Sequence, residues 1–199
     1  MPQLIAGVGF AAALLAIARA LPQAGRTLFQ RRTAGVSAAT WGLSLASSLV
    51  WIVWGITFAN LPNLVANLGI GLASGSVLLV LSMRGMHTGR VAAGAVGIAC
   101  MAVAGAFLSH GLLNVLAVAI PSVYFLPQMV AVIRSRDVDG VSLPAWCIAL
   151  VGMLLWLVYG IGIHNIPVIL PSLFCMPQIG IIIGRTADLR LRHVAPARL

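Results

Sequence analysis

Long apolar runs separated by short arginine clusters set the pattern of this chain. The runs extend from Met1 to Ala18, Thr33 to Met83, Val91 to Ile133 and Asp137 to Gly184. A helix rises about 1.5 Å per residue, so roughly 20 residues cross a hydrocarbon core of about 30 Å. The first run holds one crossing and each of the others holds two. Seven helices are therefore predicted, over about 4–29, 38–58, 62–83, 91–109, 112–133, 143–163 and 166–184. The predicted fold class is all-α transmembrane.

Composition removes the soluble alternative. Hydrophobic residues make up 61% of the 199 positions and charged residues only 8%, a balance that a water-soluble domain cannot place on its surface. The formal charge of +9 comes from twelve arginines, with no Lys and no Glu. These arginines fall in four clusters, which reads as membrane topology rather than as a nucleic-acid surface. Basic loops face the cytoplasm; one crossing before the first cluster and two between successive clusters put the N-terminus outside and the C-terminus inside. Arg19 follows the first apolar run, whereas a secretory signal carries its positive charge before it, so a retained first helix is expected. Cys100, Cys147 and Cys175 lie in apolar runs without a CxxC spacing or a His partner, and neither metal nor disulfide chemistry is expected of them.

The chain repeats itself. An offset of 105 positions superimposes Leu21-Pro22-Gln23 on Leu126-Pro127-Gln128, Gly35-Val36-Ser37 on Gly140-Val141-Ser142, and Trp41 on Trp146. It also matches Trp51 with Trp156, Gly55-Ile56 with Gly160-Ile161, Asn60 with Asn165 and Pro62 with Pro167. About a third of roughly fifty aligned positions are identical, Trp, Pro and Gln among them, beyond what shared apolar composition supplies. Pro2-Gln3 and Pro177-Gln178 lie outside this register and read as chance pairs. The division is a first three-helix bundle over 1–83, a linker helix within 84–110, a second bundle over 111–184 and a basic cytoplasmic tail over 185–199. One extra crossing between two copies restores their common orientation, giving two parallel bundles joined as 3+1+3.

The paired Leu-Pro-Gln, Gly-Val-Ser and Trp-x-x-Trp/Tyr-Gly segments resemble the PQ-loop superfamily and, within it, the SWEET-like (MtN3/saliva) sugar transporters. The resemblance covers residues 4–83 and 112–184. It implies alternating access by two triple-helix bundles. It also implies that Pro22 and Pro127 are hinges, with Gln23 and Gln128 serving the carbonyls that the prolines free. A second hinge proline is matched by Pro144 in the second copy, but the first copy has Ala39 there.

Spacing points to one cavity. Trp51 and Asn67 flank the turn near position 59 symmetrically, and Trp156 and Ser172 flank the turn near 164, each about 10 Å from its turn. Indole faces opposite hydrogen-bonding side chains suit a small molecule with an apolar ring face and several hydroxyls. Asn67 is expected to offer both donor and acceptor. The resemblance implies that these four positions line the substrate pocket, with Ser172 where the family has Asn. Interface anchoring is the competing role for the indoles, and helix-to-helix bonding for Asn67 and Ser172. Gly69, Gly71, Gly75, Gly94, Gly97 and Gly105 are expected to allow close helix packing. Arg19, Gln23 and Arg26 share a helix face, expected to line a wet cytoplasmic vestibule, unless Arg19 snorkels toward the headgroups.

Asp137, Asp139 and Asp188 fall outside the expected crossings, and His87, His110, His164 and His193 fall near their ends, so proton coupling has no mid-span carrier. The expected function is passive uniport of a mono- or disaccharide. The alternatives are transport of an amino acid or small organic anion, with Arg19 contributing, and a membrane receptor that moves nothing. No nucleotide loop or nucleophile-base pair suggests an enzyme. No cofactor, metal or nucleic acid is expected; the partners are the lipid bilayer and a small-molecule sugar, with homo-oligomerisation left open. Short loops fit a multi-pass plasma (inner) membrane protein.

Overall fold

The computed structural model describes residues 1–28, 38–85, 88–134, 138 and 141–194, without the side chains of 21–28 and 192–194. The Gly35-Val36-Ser37 segment, Arg31, Arg32, His87, Arg136, Asp137, Asp139 and Gly140 lie outside the described residues.

Among the described residues, eight helical segments follow one another: α1 (Pro2–Leu28), α2 (Ala38–Thr57), α3 (Leu61–Met83), α4 (Gly89–Leu108), α5 (His110–Val123), α6 (Leu126–Arg134), α7 (Leu143–Gly162) and α8 (Ile166–Val194). α5 and α6 share one crossing, so among the described residues seven helical stretches are long and apolar enough to span a membrane. Large apolar side chains such as Leu72, Phe107 and Leu108 are exposed on the outside. Such a surface is stable against lipid tails.

Two differences from the expected spans have local causes. The crossing expected to run unbroken over 112–133 is interrupted at Tyr124-Phe125. Pro121 and Pro127 both lack an N–H, and each crowds the carbonyl four residues earlier. The chain therefore ends one helix at Val123 and opens another at Leu126, with Pro127 in its first turn. Pro127 is thus a helix starter rather than a kink within a continuous helix. The final helix, conversely, does not stop at Gly184 but continues to Val194. Arg185 pairs with Asp188 at 3.1 Å, and an Arg190 Nη donates to the Val141 carbonyl at 2.6 Å; both anchor its polar end.

The repeat is visible in bond-by-bond detail at the two hairpin turns. Asn60 N–H donates to Gly55 O at 2.8 Å, and Asn165 N–H to Gly160 O at 2.9 Å. Ala59 and His164, equivalent under the offset, adopt φ of 51° and 53°. Together with the Ala59 to Ile56 and His164 to Ile161 bonds, these are Schellman C-caps. Asn60 and Asn165 then cap the next helices, accepting from Asn63 N–H at 3.1 Å and Val168 N–H at 3.2 Å. Gly55 and Gly160 let each hairpin close: an added Cβ would stand 3.3 Å from Leu64 backbone atoms and 3.1 Å from Ile169 N.

Packing follows the same exchange. α3 lies between α1 and α2, and α8 lies between the α5/α6 crossing and α7. Across the middle, α1 packs on α7 and α2 on α5, pairs that interchange when the two copies are swapped. Gly9 abuts Tyr159 and Gly162 abuts Ile5, so α1 and α7 are antiparallel. Trp54 meets Asn114 and Phe58 meets His110, so α2 and α5 are antiparallel too. α1 and α5 consequently run in the same direction. α4 touches α2 and α5. Of the glycines expected at close contacts, Gly69, Gly71 and Gly105 have near neighbours, while Gly75, Gly94 and Gly97 face open space.

Candidate functional site

A cavity of about 840 Å³, its open mouth included, lies between the two groups of helices. Trp51, Asn67, Trp156 and Ser172 all line it. All four are buried, none more than 9% exposed. The hairpin turns set this placement: each copy's two residues sit at one depth on antiparallel neighbours, α2 with α3 and α7 with α8.

The indole nitrogens of Trp51 and Trp156 have no hydrogen-bond partner among the described residues, which leaves two donors for an occupant. Trp51 is held edge-on by Trp54, with centroids 5.1 Å apart, and Trp156 by Tyr159 at 5.8 Å. Trp54 and Tyr159 are themselves equivalent under the offset. Trp54 Nε1 donates to Asn114 Oδ1 at 2.8 Å. Tyr159 occupies the corresponding place over Gly9, finds no side chain there to accept, and donates instead to Asn60 Oδ1 at 3.1 Å. This buried layer separates the cavity from the hairpin end.

Asn67 differs from its expected role. Its Nδ2 donates to the Asn63 carbonyl at 2.9 Å and to Asn63 Oδ1 at 3.0 Å. The bond to a carbonyl fixes which amide atom is nitrogen and uses its donors, so Asn67 presents an acceptor alone. Ser172 donates to the Val168 carbonyl at 3.3 Å and is likewise left with acceptor capacity.

Three serines that the spacing did not single out complete one wall. Ser44, Ser47 and Ser48 line the cavity beside Trp51. Ser44 accepts from Ser74 Oγ at 2.8 Å, and Ser48 donates to the Ser44 carbonyl at 2.9 Å. Their equivalents in the second copy are Ala149, Gly152 and Met153, which also line the cavity. The signal was present in the sequence: positions 44, 48 and 51 share one helix face.

At the arginine-bearing end the cavity is lined by Arg19, Tyr124 and Phe125. An Arg19 Nη donates to Tyr124 Oη at 3.2 Å. The guanidinium lies 5.2 Å from the Phe125 centroid and 5.7 Å from that of Tyr124. A guanidinium in a cavity between apolar helices carries a desolvation cost, which ring contacts of about 0.5–2 kcal/mol each partly offset. Arg19 and Tyr124 are separated by the repeat offset, so equivalent positions of the two copies touch each other.

The hinge residues divide. Pro22, Gln23 and Arg26 lie within helical α1, which passes through Pro22 without a break; their side chains lie outside the described ones. Pro144 stands in the first turn of α7, where a missing N–H leaves no bond unmade. Gln128 serves no carbonyl freed at the break. That task falls to Gln178, whose Nε2 donates to Ser122 O at 2.7 Å and to Phe174 O at 2.8 Å. The Pro177-Gln178 pair, read from the sequence as chance, therefore ties α8 to the interruption.

Seven crossings and a central crevice define a multi-pass helical membrane protein. Residues 110–168, from the start of α5 into α8, match the family model described as the PQ loop repeat. This supports the PQ-loop superfamily, and with the seven apolar helices it points to a membrane transporter or receptor of that kind. No curated protein matches the chain.

Proposed function

We propose that this chain is a passive carrier of a mono- or disaccharide. It binds its substrate between two parallel three-helix units joined by α4, in a 3+1+3 arrangement, and exposes the cavity alternately to either side of the plasma (inner) membrane. The observation that carries this reading is the meeting of Trp51 and Asn67 from the first unit with Trp156 and Ser172 from the second in one buried cavity. Two indoles supply flat apolar faces with free N–H donors, while Asn67 and Ser172 supply acceptors. A sugar has C–H faces for the rings and hydroxyls for the polar atoms.

The interruption at Tyr124-Phe125 gives one unit a place to bend, as a rocking carrier requires. The one acid among the described residues, Asp188, sits at the arginine-bearing end and is paired with Arg185. Without a mid-span carboxylate to carry a proton, transport is downhill. Counterflow of radiolabelled glucose or sucrose in proteoliposomes tests the reading. Saturable flux, insensitive to a pH gradient and lost in Trp51→Ala and Asn67→Ala, is expected. A fully active Trp51→Ala variant would remove the cavity from the mechanism.

A further inference from the structure

We propose that the cavity selects a polyhydroxylated substrate bearing one negative charge, a carboxylate in the simplest case, which Arg19 binds. This rests on the carrier reading above and narrows its substrate class.

Arg19 is the one charged side chain among the described residues lining the cavity. No carboxylate partners it among the described residues, where the one ion pair is Arg185 with Asp188 on α8. One Nη donates to Tyr124. Arg19 itself lines the cavity; its other N–H groups have no partner among the described residues, and no guanidinium nitrogen is both buried and unsatisfied. The rings of Tyr124 and Phe125 cover one side of the guanidinium and hold its plane while leaving its edge open.

A planar fork of donors matches a carboxylate in two parallel bonds. Low surrounding polarity strengthens that pairing. The rest of the cavity suits the remainder of such a molecule: Ser47 and the indole N–H groups can bond hydroxyls, and Asn67 can accept from one. A neutral sugar would leave the guanidinium without a counter-charge, whereas a monoanion cancels it in the loaded carrier.

The experiment compares glucuronate with glucose in proteoliposome counterflow, using the wild-type chain, Arg19→Gln, Arg19→Lys and Tyr124→Phe, each checked as monodisperse after purification. Wild type is expected to move glucuronate in preference to glucose. In net uptake into empty vesicles, an inside-positive potential set with potassium and valinomycin should raise glucuronate accumulation and leave the steady-state level of glucose unchanged. Arg19→Gln should lower glucuronate flux roughly tenfold more than it lowers glucose flux. Arg19→Lys should keep the preference for glucuronate at a reduced flux, since the charge stays while the planar fork is lost, and Tyr124→Phe should resemble wild type in its preference.

Glucose flux that glucuronate neither replaces nor inhibits overturns the proposal and leaves the carrier reading intact. Equal losses of both solutes in Arg19→Gln and Tyr124→Phe also overturn it, since that pattern makes Arg19 a brace for Tyr124 rather than a ligand. Flux of neither solute sinks the carrier reading together with this one.

Discussion

The two copies of the repeat share their hairpins almost bond for bond, yet they differ at the cavity and at its arginine-bearing end. Caps, left-handed turn residues and close-approach glycines coincide between α2–α3 and α7–α8. The cavity walls do not: Ser44, Ser47 and Ser48 on one side stand where Ala149, Gly152 and Met153 stand on the other. The first helix of one copy is continuous through Pro22, and that of the other is interrupted before Pro127. Ala16 occupies the position equivalent to Pro121, so one substitution separates a copy with a single proline from one with two. Duplication thus preserved what closes each unit and let diverge what faces the occupant and what bends.

The largest effects should come from the shared indoles. Trp51→Ala and Trp156→Ala are each expected to cut flux by about tenfold or more, measured by counterflow. A loss confined to Trp51 would show that the polar wall does the binding and the second copy merely encloses it.

Next comes the difference at the break. With Ala16 in the place of Pro121 the first copy runs on through Pro22, so Pro121→Ala, which restores a bond to the Ala117 carbonyl, should let the Tyr124-Phe125 interruption close toward a continuous helix. Hydrogen exchange over residues 121–129 should slow by about tenfold, with flux falling at the same time. Faster exchange would place the cause of the interruption elsewhere.

The glycine contacts then rank the two hairpins. Gly160→Ala forces a Cβ toward Ile169 at 2.9 to 3.1 Å, whereas Gly55→Ala meets Leu64 at 3.3 Å. A cost of about 1–3 kcal/mol is expected for the first and less for the second, read from thermal unfolding in detergent. Equal costs would mean that the two hairpins relax alike.

The smallest effects are at the turns. Ala59→Gly and His164→Gly each relieve a left-handed backbone and should stabilise the chain by about 0.5–1 kcal/mol. Destabilisation at His164 alone would reveal a role for the imidazole beyond the turn.

Much of this was legible because spacing carries it. The offset register predicted which residues share a depth, and Trp51, Asn67, Trp156 and Ser172 do line one cavity. What escaped depends on which partner each polar group takes, near or far in sequence. The donor groups of Asn67 are used by Asn63, and the carbonyl at Ser122 is met by Gln178 on another helix. The end of α8 was misjudged for a related reason. Arginines past Gly184 read as a tail, but an ion pair within the helix and a bond to the loop before α7 extend it to Val194.

The meeting of Arg19 with Tyr124 has a consequence for ancestry. Two separate identical protomers associating in this way would place a residue against its own twin at that point, and twin guanidiniums would repel. Fusing the protomers into one polypeptide freed the central pair to become unlike, a cation facing a phenol, which no symmetric dimer could have encoded.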